Sequence, residues 1–72
     1  MSADMLATYE FFALTSDGSV DRGFRKAMMN DHEAIGFGES IEGAAMVEVR
    51  LGKKLITKIR FINGTPTVIG ST

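Results

Sequence analysis

Apolar and polar positions alternate along the C-terminal third of the chain, and this alternation is its clearest structural signal. Val47, Val49 and Leu51 fall on one side of an extended segment, with Met46, Glu48 and Arg50 on the other. After Gly52-Lys53-Lys54 the pattern resumes. Leu55, Thr57, Ile59 and Phe61 share one face, and Ile56, Lys58, Arg60 and Ile62 share the opposite one. Asn63-Gly64 then suits a two-residue type I′ hairpin, whose central residues both need positive φ. It pairs Ile62 with Thr65, Phe61 with Pro66 and Ile59 with Val68. Pro66 has no N–H to give to a ladder, which puts 65–70 at a sheet edge. Residues 44–70 therefore read as a three-stranded antiparallel meander.

Face matching sets the register of the first hairpin. Opposing Leu51 with Leu55 places Val49 across from Thr57 and Val47 across from Ile59. It also sets Glu48 across from Lys58, an opposite-charge pair. Gly52 as the first residue of a two-residue II′ turn pairs Leu51 with Lys54 instead. Lys54 or a bulge must absorb the mismatch.

Upstream, Tyr9, Phe11 and Ala13 alternate with Thr8, Glu10 and Phe12, and the aromatic content predicts a strand over 6–14. Met5, Leu6, Tyr9, Phe12 and Ala13 also fit a helical stripe. Residues 15–19 form a turn around Asp17-Gly18. Val20, Phe24, Ala27, Met28 and Ile35 then recur on one helical face, with Ser19 placed to cap it and Asp21 paired to Arg25 four residues on. The spacing predicts a helix over 20–33, weakened by about 1 kcal/mol at Gly23. Three glycines in 36–44 predict a flexible connector. The expected fold is α+β, a small single domain over 1–72. Its order is β-α-β-β-β, with one helix packed on an antiparallel sheet that ends in the meander.

The chain has 72 residues, no cysteine and one histidine. Disulfides, thiolate metal sites and a His-rich site are thus excluded, although a domain this small gains little net stability from its core alone. Self-association or docking on a partner protein is the expected remedy. The cysteine-free composition and the absence of a basic leader fit the cytoplasm. The longest apolar-rich run, 6–14, is too short to span a bilayer, so no membrane partner is expected.

Charge is unevenly placed. All nine acidic residues lie in 1–48, and Arg50, Lys53, Lys54, Lys58 and Arg60 follow with no acid after them. These five residues are the candidate nucleic-acid contact. Against that reading stand a pI near 5.7 and the lack of aromatic residues interleaved with the charges to stack on bases. The outer face sets Lys58 and Arg60 among Met46, Ile56, Ile62 and Ile69, too apolar a mixture for a freely solvated sheet. These six residues are the candidate protein interface, apolar at the centre with a basic rim.

Other chemistry is sparse. Asp31, His32 and Glu33 as consecutive helical residues splay over about 200° and cannot converge on one ion. Gly36, Gly38 and Gly43 invite a reading in which an oligomer sequesters a small anionic ligand near 36–43, but the lysine of a phosphate loop is missing. No nucleophile is spaced with a base. Neither an enzyme, a metal nor a cofactor is expected. The best-supported reading is a non-enzymatic protein-binding module of inhibitor or adaptor type, of the kind viruses and mobile elements encode, homo-oligomeric through its outer sheet face. No family resemblance is carried by the residues.

Overall fold

The computed structural model describes residues 6–71, with side chains through residue 69. Its elements are β1 (Ala7–Leu14), β2 (Val20–Met28), α1 (Asp31–Glu39), β3 (Met46–Leu51), β4 (Lys54–Ile62) and β5 (Thr65–Ser71). All strand pairs are antiparallel, in one five-stranded sheet of order β2-β1-β3-β4-β5. The α+β class and the closing meander are as expected.

The β1 strand follows its alternation: Tyr9, Phe11 and Ala13 are all buried. The expected helix over 20–33 is wrong, however. Residues 20–28 form an edge strand hairpinned to β1, so the order is β-β-α-β-β-β. Asp17 closes the turn as expected, but Ser19 leads into a strand instead of capping a helix. The Asp17 carboxylate accepts from the Thr15 hydroxyl and from the Ser19 N–H at 3.0 Å, and these bonds hold it below the usual carboxylate range. Gly18 supplies the positive φ, at 90°. The strand was masked by its charges. Arg22, Phe24 and Lys26 share one face, a charged–aromatic–charged row that does not look apolar in sequence. The charged heads lie near rings: Arg22 is 5.9 Å from the centroid of Phe24, and Lys26 is 5.5 Å from that of Phe37. Gly23 sits beneath Phe12, where an added Cβ meets its ring carbons at 3.5 Å.

The helix begins eleven residues later than expected. Asn30 caps it, accepting from the Glu33 N–H at 2.8 Å, while Glu33 reaches back to the Met29 N–H at 3.1 Å. Residues 30–33, the end of the expected helix, are the start of the observed one. The connector expected over 36–44 is likewise helical as far as Glu39.

In the first hairpin each competing register holds over part of the length, the turn-set one next to Gly52 and the face-matched one from Val49 onward. Leu51 pairs with Lys54 across a Gly52-Lys53 turn with Gly52 at φ 61°, and Val49 still pairs with Thr57. The extra residue is Ile56, in a bulge. The Leu51–Leu55 pairing is therefore wrong, whereas Glu48–Lys58 and Val47–Ile59 hold. Asn63 and Gly64 have φ of 54° and 82°, the type I′ geometry, with all three expected pairings beyond them. The β5 strand is indeed an edge.

One helix covers one face of this sheet. Ala34 and Gly38, four residues apart, are its buried positions, and their small size lets the helix sit close to β3 and β4. An added Cβ on Gly38 lies 2.9 Å from Ile59 Cδ1 and 3.1 Å from Val49 Cγ2, while one on Gly36 meets nothing within 4 Å. The two glycines should respond oppositely. Gly36→Ala should stabilise by about 0.5–1 kcal/mol through helix propensity. Gly38→Val should destabilise by about 1–3 kcal/mol by pushing the helix off the sheet. Urea unfolding midpoints of the two variants, on either side of wild type, check this.

Candidate functional site

The core cluster joins Phe11, Val47, Val49 and Ile59 to Ala34 and Ile41, so among the described residues the opposite face of the sheet has no helix over it. Directly opposed residues share a face, and the register therefore lists what this open face carries. One row runs Val20, Leu14, Met46, Arg60, Thr67 across β2, β1, β3, β4 and β5. The next runs Phe12, Glu48, Lys58 across β1, β3 and β4. A third runs Arg25, Glu10, Arg50, Leu55 across β2, β1, β3 and β4. Ile62 lies beyond Arg60 at the end of β4.

The face is thus divided. At the end bearing the β1–β2 and β4–β5 turns, Val20, Leu14, Met46, Phe12 and Ile62 form an apolar group, with Val20 61 % and Ile62 52 % exposed. An open hollow of about 250 Å³ lies beside it, with Leu14, Met46 and Arg60 in its wall. Toward the other end, charges are paired. Arg25 meets Glu10 at 3.2 Å, and Glu48 takes Arg50 at 3.3 Å and Lys58 at 3.9 Å. Among the basic residues of this face Arg60 alone lacks an ion pair within the described residues.

Of the six expected interface residues, Met46, Lys58, Arg60 and Ile62 share the open face. Ile69 is the extra residue of a second bulge on β5, and it is exposed. Ile56 is misplaced in the sequence reading. It is only 4 % exposed and belongs to the core cluster, because the β4 bulge turns it inward beside Thr57. Leu55 takes the place opposite Arg50. Phe12, Leu14 and Val20 were missed as members of the face. Phe12 was legible from alternation, but Val20 required β2 to be a strand.

The five basic residues of the nucleic-acid reading do not converge. Arg50 and Lys58 are tied to Glu48. Lys53 and Lys54 sit at the β3–β4 turn, and Arg60 is six residues along β4 from Lys54, about 20 Å at ~3.3 Å per residue. The glycine segment also differs from expectation. Gly36 and Gly38 are inside α1, and Gly43 follows its C-terminal end. Glu39 and Glu42 flank that end, so dipole and side chains alike present negative potential to an anion. An open cavity of about 620 Å³ lies there, lined by Glu39, Glu42, Ile41, Ala44 and Phe61 among others.

One part-buried polar contact secures the covered side. The Tyr9 hydroxyl donates to Asp31 Oδ1 at 2.6 Å, joining β1 to the first turn of α1. That bond, with burial and the Asp31 charge, pushes the Tyr9 phenol up to about 12. A folded-state value above the ordinary 10.0 means the stabilisation is complete below pH 10 and is lost as pH rises through about 12. Tyr9 is the sole tyrosine and there is no tryptophan, so phenolate absorbance reads this group alone. Its midpoint should stand near 12 in the native protein and fall toward 10.0 in Asp31→Asn. Tyr9→Phe should cost about 1.5–3 kcal/mol, as for a hydrogen bond to a charged group.

Among the described residues no group of three or more His, Asp or Glu side chains is placed to hold a metal ion, and no helix is long and apolar enough to cross a membrane. No protein-family model, no curated protein and no solved structure matches this chain.

Proposed function

We propose that the chain is a non-enzymatic protein-binding module, of inhibitor or adaptor type, which docks and self-associates through the open face of its sheet. One observation carries this reading: on the sheet face opposite α1, exposed Val20 and Ile62 and half-buried Phe12 and Met46 lie together around the buried Leu14. A solvated antiparallel face alternates to polar residues, and contiguous apolar surface with a charged border is what protein interfaces present. The cytoplasm is part of the same proposal, in keeping with a cysteine-free chain.

A nucleic-acid surface is the alternative, and it has less support because Glu48 engages two of its five basic residues. Light scattering on wild type and on the Met46→Asp/Ile62→Asp double variant tests the main reading. Wild type should be oligomeric, and the variant should be a monomer that keeps its Tyr9 titration. A wild-type monomer at high concentration that shifts DNA or RNA in a salt-sensitive way would favour the alternative.

A further inference from the structure

We infer that the occupant of the open face is the helix side of a second copy of this chain, bound head to tail. This rests on the open face being the docking surface, and it names the partner.

Charge separates the two sides of the molecule. The open face carries Arg25, Arg50, Lys58 and Arg60 against Glu10 and Glu48, an excess of two positive charges. Two such faces brought together repel. The helix side has the opposite sign: residues 29–45 hold Asp31, Glu33, Glu39 and Glu42 and no lysine or arginine, and these four acids outnumber Arg22, Lys26 and Lys54 on the covered face of the sheet. The face is therefore complementary to the helix side and not to itself.

Shape points to the same contact. Arg60, exposed and without an ion pair among the described residues, stands beside exposed Ile62 at one end of β4. On the other side of that end lies the cavity of about 620 Å³, with Ile41, Ala44 and Phe61 for an apolar wall and Glu39 and Glu42 at its rim. Neither carboxylate has an ion pair among the described residues. Arg22 donates to the Glu42 backbone carbonyl at 2.7 Å and lies 3.3 Å from Asp21. An incoming arginine fits these surroundings, its methylene stem along Phe61 and Ile41 and its guanidinium between the two carboxylates.

Arg60 and Phe61 are consecutive, so knob and hole lie back to back on one corner of the sheet. A second copy displaced along the sheet normal brings the Arg60–Ile62 corner of one molecule over the cavity of the next. Such an interface is heterologous. It continues into a ring of three or more copies or an open stack, and it cannot stop at a two-fold dimer.

Sedimentation velocity on two complementary variants tests this. Arg60→Glu alters the knob alone, and Glu39→Lys/Glu42→Lys alters the rim alone, with lysines that suit a helix C-terminus. Wild type should grow past dimer with concentration, more so at low salt. Each variant alone should associate at least about tenfold more weakly, and mixing the two should restore assembly, because each supplies the side the other lacks. Circular dichroism and the Tyr9 titration verify that both variants are folded. A rim variant that assembles like wild type, or a wild type that stops at dimer, overturns head-to-tail packing and leaves the open face as an interface. A wild type that is monomeric throughout overturns self-association altogether.

Discussion

Ile56→Asp should unfold the protein, whereas Ile62→Asp, on the same strand and an even number of residues away, should leave it folded. Simple alternation gives the two isoleucines one environment. The β4 bulge gives them opposite ones: Ile56 is 4 % exposed inside the core cluster, and Ile62 is 52 % exposed on the open face. An aspartate at position 56 has no cationic partner in that cluster. It must either bury a charge or fold only when protonated, at a cost of about 3–5 kcal/mol. A domain of this size has about 4–11 kcal/mol in total, at ~0.05–0.15 kcal/mol per residue. The melting temperature of Ile56→Asp should therefore fall by at least about 15 °C, and that of Ile62→Asp by no more than a few degrees. Association should respond the other way, with Ile62→Asp losing it while still folded. Equal, small shifts in melting temperature would show that the bulge is absent and that the alternating reading was right.

That bulge also shows how far this sequence is legible. The meander could be read because its signals are local: Asn63-Gly64 dictates a turn type, Pro66 dictates an edge, and Glu48–Lys58 confirms a register. The Gly52 conflict was legible too, as a mismatch of one residue. Its location was not, because Leu55 and Ile56 are equally apolar and either can face inward. The β2 strand was illegible for a different reason. An edge strand buries little, so Arg22 and Lys26 can share a face with Phe24 by laying their heads near rings, and the period-2 pattern vanishes. The stripe of Val20, Phe24, Ala27 and Met28 then imitates a helix. A better local signal lay downstream, where Asn30 and Glu33 stand at capping-box spacing. The open face followed from these errors. Three of its five apolar residues come from β1 and β2, so a reading confined to the meander found Met46 and Ile62 but missed Phe12, Leu14 and Val20.

The covered side yields the other large effect. Phe11→Ala should remove most of the remaining stability, because Phe11 is where helix and sheet meet. It is fully buried, with Phe24 and Val49 as its neighbours across β2 and β3. The Phe37 ring lies edge-on to it at 4.8 Å and 68°. Truncation leaves a cavity beneath α1 at about 3–5 kcal/mol, and the ring pair adds about 0.5–1.5 kcal/mol. A nine-residue helix does not persist in water without such packing. Its glycines at 36 and 38 weaken it further, so its attachment depends on a few contacts with the sheet. Phe37→Ala, at a half-buried position, should cost less, and the double variant less than the sum of the two, by about 0.5–1.5 kcal/mol. Hydrogen exchange gives the sharper readout. In Phe37→Ala the amides of α1 should lose protection while those of β1, β3 and β4 keep theirs, because the sheet's ladder does not depend on the helix ring. In Phe11→Ala both should lose it together, since that side chain belongs to the sheet. Uniform loss in both variants would mean that helix and sheet unfold as one unit and that the ring contact is not the hinge between them.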